Sequence, residues 1–212
     1  MSRGGIDNLL IMLYIICMPR KPRQLVDGGI YHVFNRGNDR RNLFSEPEDY
    51  ACFLNHLGSN VSRLSVELYH YCLMPNHFHF LLRIQKCHDL AELMHRVQLS
   101  YARYFKRSRT FVGHVFQERF RSPRISEESY YLQCGRYIER NPVKADLVNE
   151  AAAYPYSSAK FYVMGVGDPL LTCNPFYAEM GKTDEERRRR YQAFLSFDEP
   201  YARMLDVALT RV

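Results

Sequence analysis

The segment that most constrains the fold runs from Tyr71 to Leu82 and reads Tyr-Cys-Leu-Met-Pro-Asn-His-Phe-His-Phe-Leu-Leu. Two apolar stretches flank Pro75-Asn76, and proline with asparagine punctuates chains at turns. Val66–Cys72 and Asn76–Ile84 therefore read as an antiparallel pair of strands with a tight break between them. Strand side chains alternate between faces, so His77 and His79 point one way and Phe78 and Phe80 the other. Two like-facing imidazoles have two readings. They are structural histidines satisfied by hydrogen bonds, or they are half of a divalent-metal site.

The whole chain, 212 residues, has room for a proper core and reads as one domain with appendages or two small ones. Lys and Arg (29) outnumber Asp and Glu (23), a balance that suits a polyanionic partner such as nucleic acid. Sixteen tyrosines and thirteen phenylalanines offer many stacking surfaces, most of them expected in the core. None of the cysteines at 17, 52, 72, 87, 134 and 173 forms a C-x-x-C pair, which argues against zinc-ribbon and thioredoxin chemistry. Several of them lie among apolar neighbours, which suits small buried side chains in a reducing compartment, so a cytoplasmic location is expected. Leu9 to Met18 is apolar but falls short of the roughly 20 residues that span a bilayer, and no membrane association is expected. Met18-Pro19-Arg20-Lys21 resembles a natural basic N-terminus. We expect residues 1–17 to be an extension and Met18 to be the working start.

Ile30–Asn35 has strand composition and leads into Arg36-Gly37-Asn38-Asp39-Arg40-Arg41, a turn rich in glycine and arginine. Glu46–Asn60 places Tyr50, Phe53, Leu54 and Leu57 on one helical face. A longer amphipathic helix starts at Asp89 and carries Leu90, Leu93, Met94, Val97, Tyr101 and Phe105. Residues 110–125 read as a short hairpin or irregular arm in which aromatics alternate with Arg119, Arg121 and Arg124. Such an arm suits single-stranded nucleic acid, and equally a plain amphipathic segment. Ser126 is a fair start for a helix through Cys134, Tyr137 and Ile138, with its end expected at Asn141 because Pro142 follows. Tyr137 and Asn141 lie one turn apart and share a face. A looser region then extends to Pro175. Thr183-x-x-Glu186 is a capping box opening another helix, and a last short helix would carry Tyr201 and Leu205.

His77 and His79 on a strand, with Tyr137 and Asn141 at a helix end, make a chemically coherent set. Two imidazoles and an amide oxygen would hold Mg2+ or Mn2+ with positions left open for a scissile phosphate. Tyrosine is a credible nucleophile towards phosphorus. Its attack would leave a phosphotyrosine and a free 3′-hydroxyl, conserving the ester for later rejoining.

At this point the sequence resembles the IS200-like, single-tyrosine HUH transposases, and most closely their REP-associated tyrosine transposase branch. The matching blocks are Tyr31-His32-Val33-Phe34-Asn35-Arg36-Gly37, Met74-Pro75-Asn76-His77-Phe78-His79, Phe116-Gln117-Glu118-Arg119-Phe120-Arg121-Ser122, Tyr137-Ile138-Glu139-Arg140-Asn141-Pro142-Val143-Lys144-Ala145 and Tyr154-Pro155-Tyr156-Ser157-Ser158. The resemblance implies His77 and His79 as metal ligands and Tyr137 as the nucleophile. It puts Asn141 where relatives often have a glutamine ligand. Phe116 stands where relatives often have tryptophan, and the C-terminal region is shorter than in longer relatives.

The implied fold is an α+β, ferredoxin/RRM-like sandwich. It has a central antiparallel sheet of four or five strands, helices packed on one face, and a helical C-terminal extension. The implied domain spans 18–160, with 161–212 as the extension. The implied activity is strand cleavage and transfer on single-stranded hairpin DNA, by a monomer or a homodimer. Arg36, Arg40, Arg41, Arg119 and Arg121 are candidate phosphate contacts. Two other readings remain, a non-catalytic nucleic-acid binder and a metal phosphodiesterase that uses water.

Overall fold

Pro75 and Asn76 are the entire connection between β2 (Glu67–Met74) and β3 (His77–Arg83) in the computed structural model, which describes residues 23–127 and 129–196. β1 (Ile30–Arg36) pairs antiparallel with the other edge of β3, and the two-residue β4 (Arg124–Ile125) pairs with β1. The sheet order is β2-β3-β1-β4. The arm preceding β4 is not a free hairpin. It runs along β1, with Phe34 N donating to Arg121 O at 3.1 Å and Gln117 N to Arg36 O at 3.0 Å. The β1 edge thereby gains partners for its backbone groups, and the arm's arginines are carried to the sheet.

One face of the sheet packs on α1 (Pro47–Arg63) and α2 (Asp89–Arg109). Tyr31, Val33, Phe78 and Phe80 from the strands bury against Phe53, Leu57, Leu93 and Tyr101 from the helices. Phe116 joins this core beside Phe78 and Tyr101. Asp49 ties the two helices together. It accepts from the Ser45 and Glu46 backbone at 2.8 and 3.1 Å, from the Tyr104 hydroxyl at 2.9 Å, and from Arg109. These bonds satisfy orphan N–H groups at the start of α1.

The opposite face is covered by α3 (Ser129–Lys144), whose Cys134, Tyr137 and Ile138 pack on Ile30, Cys72, Met74 and Leu81. The α+β class with a four-stranded antiparallel sheet is as expected. The one-face arrangement holds for α1 and α2, while α3 takes the other side. An extra residue in β2 turns His70 to the α3 side: Leu68 and His70 face consecutive β3 residues, Leu82 and Leu81, leaving Tyr69 as a bulge. The bulge changes parity, so Leu68 joins the α1/α2 core while His70 and Cys72 face α3.

α3 does not end at Asn141 but continues to Lys144 with Pro142 inside it. Proline lacks the N–H that would bond the carbonyl one turn back. Here the Asn141 Nδ2 amide donates to Tyr137 O at 2.8 Å and Ile138 O at 3.2 Å, supplying the missing donor.

Beyond α3, α4 (Ala159–Met164) occupies part of the stretch read as loose, followed by α5 (Pro175–Ala178) and α6 (Asp184–Ser196). Ala159, Tyr162, Tyr177, Tyr191 and Leu195 form their own buried cluster. Glu186 N donates to Thr183 Oγ1 at 3.2 Å, and Glu186 Oε2 accepts from Lys182 N rather than from the cap residue itself. The proposed start at Met18 and the helix around Tyr201 lie outside the described residues. No helix among those described is long and apolar enough to cross a membrane.

Candidate active site

The alternation of β3 sends Phe78 and Phe80 into the α1/α2 core and turns His77 and His79 towards α3. The β1–β3 register sets Phe34 opposite His79 and Arg36 opposite His77. α3 lays Tyr137 across this surface. Its ring is edge-on to His79, with centroids 5.7 Å apart, and 5.8 Å from the His32 ring. His77, His79, Tyr137 and Asn141 line one cavity of about 370 Å3. The four residues singled out from sequence thus converge, although they come from elements far apart in the chain.

Hydrogen bonds assign the tautomer of His77. Asn76 Nδ2 donates to Arg40 O at 3.3 Å, which turns Asn76 Oδ1 towards His77 Nδ1 at 2.6 Å. An amide oxygen only accepts, so the ring proton sits on Nδ1 and the Nε2 lone pair is left for a ligand. The same logic applies to Asn141. Its NH2 group is committed to backbone carbonyls, leaving Oδ1 to accept or coordinate. Asn141 and His77 line the same cavity.

Both histidines are held neutral. Burial pushes the His77 pKa down to about 4, Asn141 partly opposing this and Arg36 adding to it. Burial also pushes His79 well below its ordinary value, helped by His77, His32 and Lys144. Neutral imidazoles are what a divalent ion requires. Among the described residues no three His, Cys, Asp or Glu side chains cluster as a metal site. Two imidazole nitrogens and the Asn141 amide oxygen would make a mixed donor set compatible with Mg2+ or Mn2+.

Four of the five expected arginines reach the cavity. Arg36 enters from the end of β1, Arg40 from the short turn Asn38–Arg40 that follows it, and Arg119 and Arg121 from the arm. Arg36 Nε is anchored by Gln117 Oε1, a contact the sequence did not signal. Arg41 is the exception. Its Nε donates to Asn38 O at 3.0 Å and its guanidinium lies over the Phe111 ring, outside the cavity lining. On the helix side, Lys144 Nζ stands 4.8 Å from the centroid of the Tyr137 ring, a cation–π distance.

The position of α3 is set by a buried polar network that sequence reasoning did not find. Glu139 and His70 both have side chains at 0% exposure and are 2.9 Å apart. Glu139 also accepts from Ser158 Oγ at 2.5 Å and from the Tyr191 hydroxyl at 2.8 Å. Asn174 Oδ1 accepts from Phe176 N, so its NH2 faces His70 Nε2 at 2.9 Å. His70 therefore accepts at Nε2 and donates from Nδ1 to Glu139. Gly135 permits the close approach, since a Cβ there would meet the His70 ring at 2.6 Å. One carboxylate in the helix that bears Tyr137 thus collects bonds from β2, from the residue before α4, and from α6.

A sheet that presents paired histidines to a helix-borne tyrosine defines an α+β protein with a candidate phosphoryl-transfer site. Residues 26–141, more than half of the chain, match the model of the family described as IS200-like transposases, and the chain belongs to that family. Among solved structures it is similar to that of a REP-associated tyrosine transposase bound to a REP hairpin. The identity is 18% and the TM-score 0.60, covering 74% of this chain and 93% of that one. At that identity the likeness establishes a common fold. A candidate transposase from Deinococcus radiodurans matches at 20% identity and a TM-score of 0.40, over 57% of this chain and 97% of its own. No curated protein matches the sequence.

Proposed function

We propose that this chain is a REP-associated, metal-dependent endonuclease and strand transferase acting on single-stranded DNA beside hairpins, in the cytoplasm. Tyr137 Oη gives up its proton and attacks the scissile phosphorus, and the bond to the 3′-oxygen breaks. The phosphate stays on Tyr137 as a 5′-phosphotyrosine, and the 3′-oxygen leaves as a hydroxyl after taking up a proton. Attack by another 3′-hydroxyl reverses the step and joins strands without an external energy source. His77, His79 and Asn141 would hold Mg2+ or Mn2+, which supplies Lewis-acid polarisation of the phosphate when bound. Arg36, Arg40, Arg119 and Arg121 pair with backbone phosphates along the cavity. Arg41, held outside it, contacts DNA only beyond the scissile position.

One observation carries this reading. Tyr137, 8% exposed, lines the cavity with its ring against the neutral His79, in the same chain. A core tyrosine has no need of such company, and a pure nucleic-acid binder has no need of both histidines and the tyrosine. Tyr137 and both histidines come from one chain, so a homodimer is not required to assemble them.

The test is to incubate the protein with end-labelled hairpin DNA and Mn2+ and resolve the products on a denaturing gel. A slow covalent adduct, lost in Tyr137→Phe and with chelator, is expected. Cleavage that persists in Tyr137→Phe without an adduct would replace this reading with a water-using phosphodiesterase. Binding without cleavage on the hairpin matched to the gene's own surroundings would replace it with a non-catalytic binder.

A further inference from the structure

His77 and His79 are held by different devices. The first leans on the Asn76 side-chain amide. The second has its Nδ1 3.0 Å from Nε2 of His32, a completely buried residue of β1. In the register His32 faces Leu81, so it meets His79 as a diagonal cross-strand neighbour, with ring planes 28° apart and centroids 5.1 Å apart. The remaining nitrogen of His32, Nδ1, is buried without a hydrogen-bond partner. Leaving a buried polar group unpaired costs about 1–3 kcal/mol, so a histidine here needs a reason that an apolar residue would not supply.

The pair has two arrangements. If His32 donates from Nε2, His79 accepts at Nδ1 and carries its proton on Nε2, where it cannot coordinate. If His32 accepts, His79 carries its proton on Nδ1 and its Nε2 lone pair is free, matching His77. We propose that His32 is a positioning residue that accepts the Nδ1 proton of His79 and so fixes both the ring orientation and the tautomer needed for metal coordination. Imidazoles that bind metals are commonly oriented by an acceptor on their other nitrogen. Here that acceptor is a second imidazole, with its own proton on the unpartnered Nδ1. The inference rests on the metal reading of His77 and His79 given above.

The test combines two measurements. Long-range 1H–15N spectra of metal-free protein labelled on histidine report the tautomer of each ring. Calorimetric titration with Mn2+ reports affinity for the wild type, His32→Leu and His32→Gln. The glutamine amide oxygen can accept in place of Nε2, whereas leucine only fills space. The expected result is His79 and His32 both protonated on Nδ1, with Mn2+ binding about 10–100-fold weaker in His32→Leu and within about threefold of wild type in His32→Gln. His79 protonated on Nε2, wild-type affinity in His32→Leu, or equal losses in both variants overturns the proposal. If His32→Leu does not fold, the spectrum and the glutamine variant decide. If the wild type binds no Mn2+, the metal reading fails, and the spectrum alone judges the hydrogen-bond assignment.

Discussion

Glu139 and His70 meet at 2.9 Å with neither side chain exposed, and through that contact the helix that bears Tyr137 is locked to the second strand of the sheet. The carboxylate is bonded to three donors and α3 has no slack at that turn. Glu139→Ala removes the shared acceptor and leaves His70 and Tyr191 with buried unmet donors, while Ser158 Oγ keeps the Tyr71 carbonyl at 3.3 Å. A loss of about 2–6 kcal/mol in urea unfolding is expected, at about 1–3 kcal/mol for each buried donor left unmet. The Gly135→Ala substitution is expected to cost about 1–3 kcal/mol by overpacking the His70 ring. It should cost less in a His70→Ala background, because the two residues touch.

Asn141 has a structural task as well as its proposed ligand role. It supplies the N–H that Pro142 lacks. Asn141→Ala is expected to lower stability by about 1–2 kcal/mol. Adding Pro142→Ala should recover part of that loss by restoring the backbone donor. Equal stability of the single and double variants in denaturant titrations would count against the account. Mn2+ affinity should stay low in both, because neither restores the amide oxygen.

The arginines separate into two groups. Replacing Arg36, Arg40, Arg119 or Arg121 with alanine is expected to reduce the salt dependence of single-strand binding by about 0.7 in log–log slope for each phosphate that is no longer neutralised. Arg41→Ala should leave the slope nearer wild type on oligonucleotides confined to the cavity, since its guanidinium rests on Phe111. Fluorescence anisotropy at several salt concentrations reads the difference.

Acid should act on the α1–α2 junction through Asp49. Burial raises its pKa, but hydrogen bonds from Arg109, Ser45, Glu46 and Tyr104 outweigh that, and the net shift is below 3.8. A carboxylate depressed in the folded state stabilises the protein above its unfolded pKa. That stability is lost as pH falls from about 4 through the lower folded value. Asp49→Asn is expected to be less stable than wild type at pH 7, and to lose less between about pH 5 and pH 2.5 in thermal melts.

Sequence alone determined the features set by short-range periodicity. The two-residue parity of a strand put His77 and His79 on one face, and the Pro75-Asn76 break made the hairpin. Helical spacing paired Tyr137 with Asn141, and the capping box marked the last described helix. Tertiary structure decided whatever depends on register between distant strands, or on partners separated by many residues. His32 reaches His79 only because β1 lies beside β3 in one register. His70 turns to α3 because a single bulge at Tyr69 changes parity, which no local pattern reveals. Asn141 sustains a helix through Pro142 that backbone rules alone would end. Glu139 reads as one more charge among its neighbours until the strand and the C-terminal helices close around it. Burial then makes its hydrogen bonds obligatory.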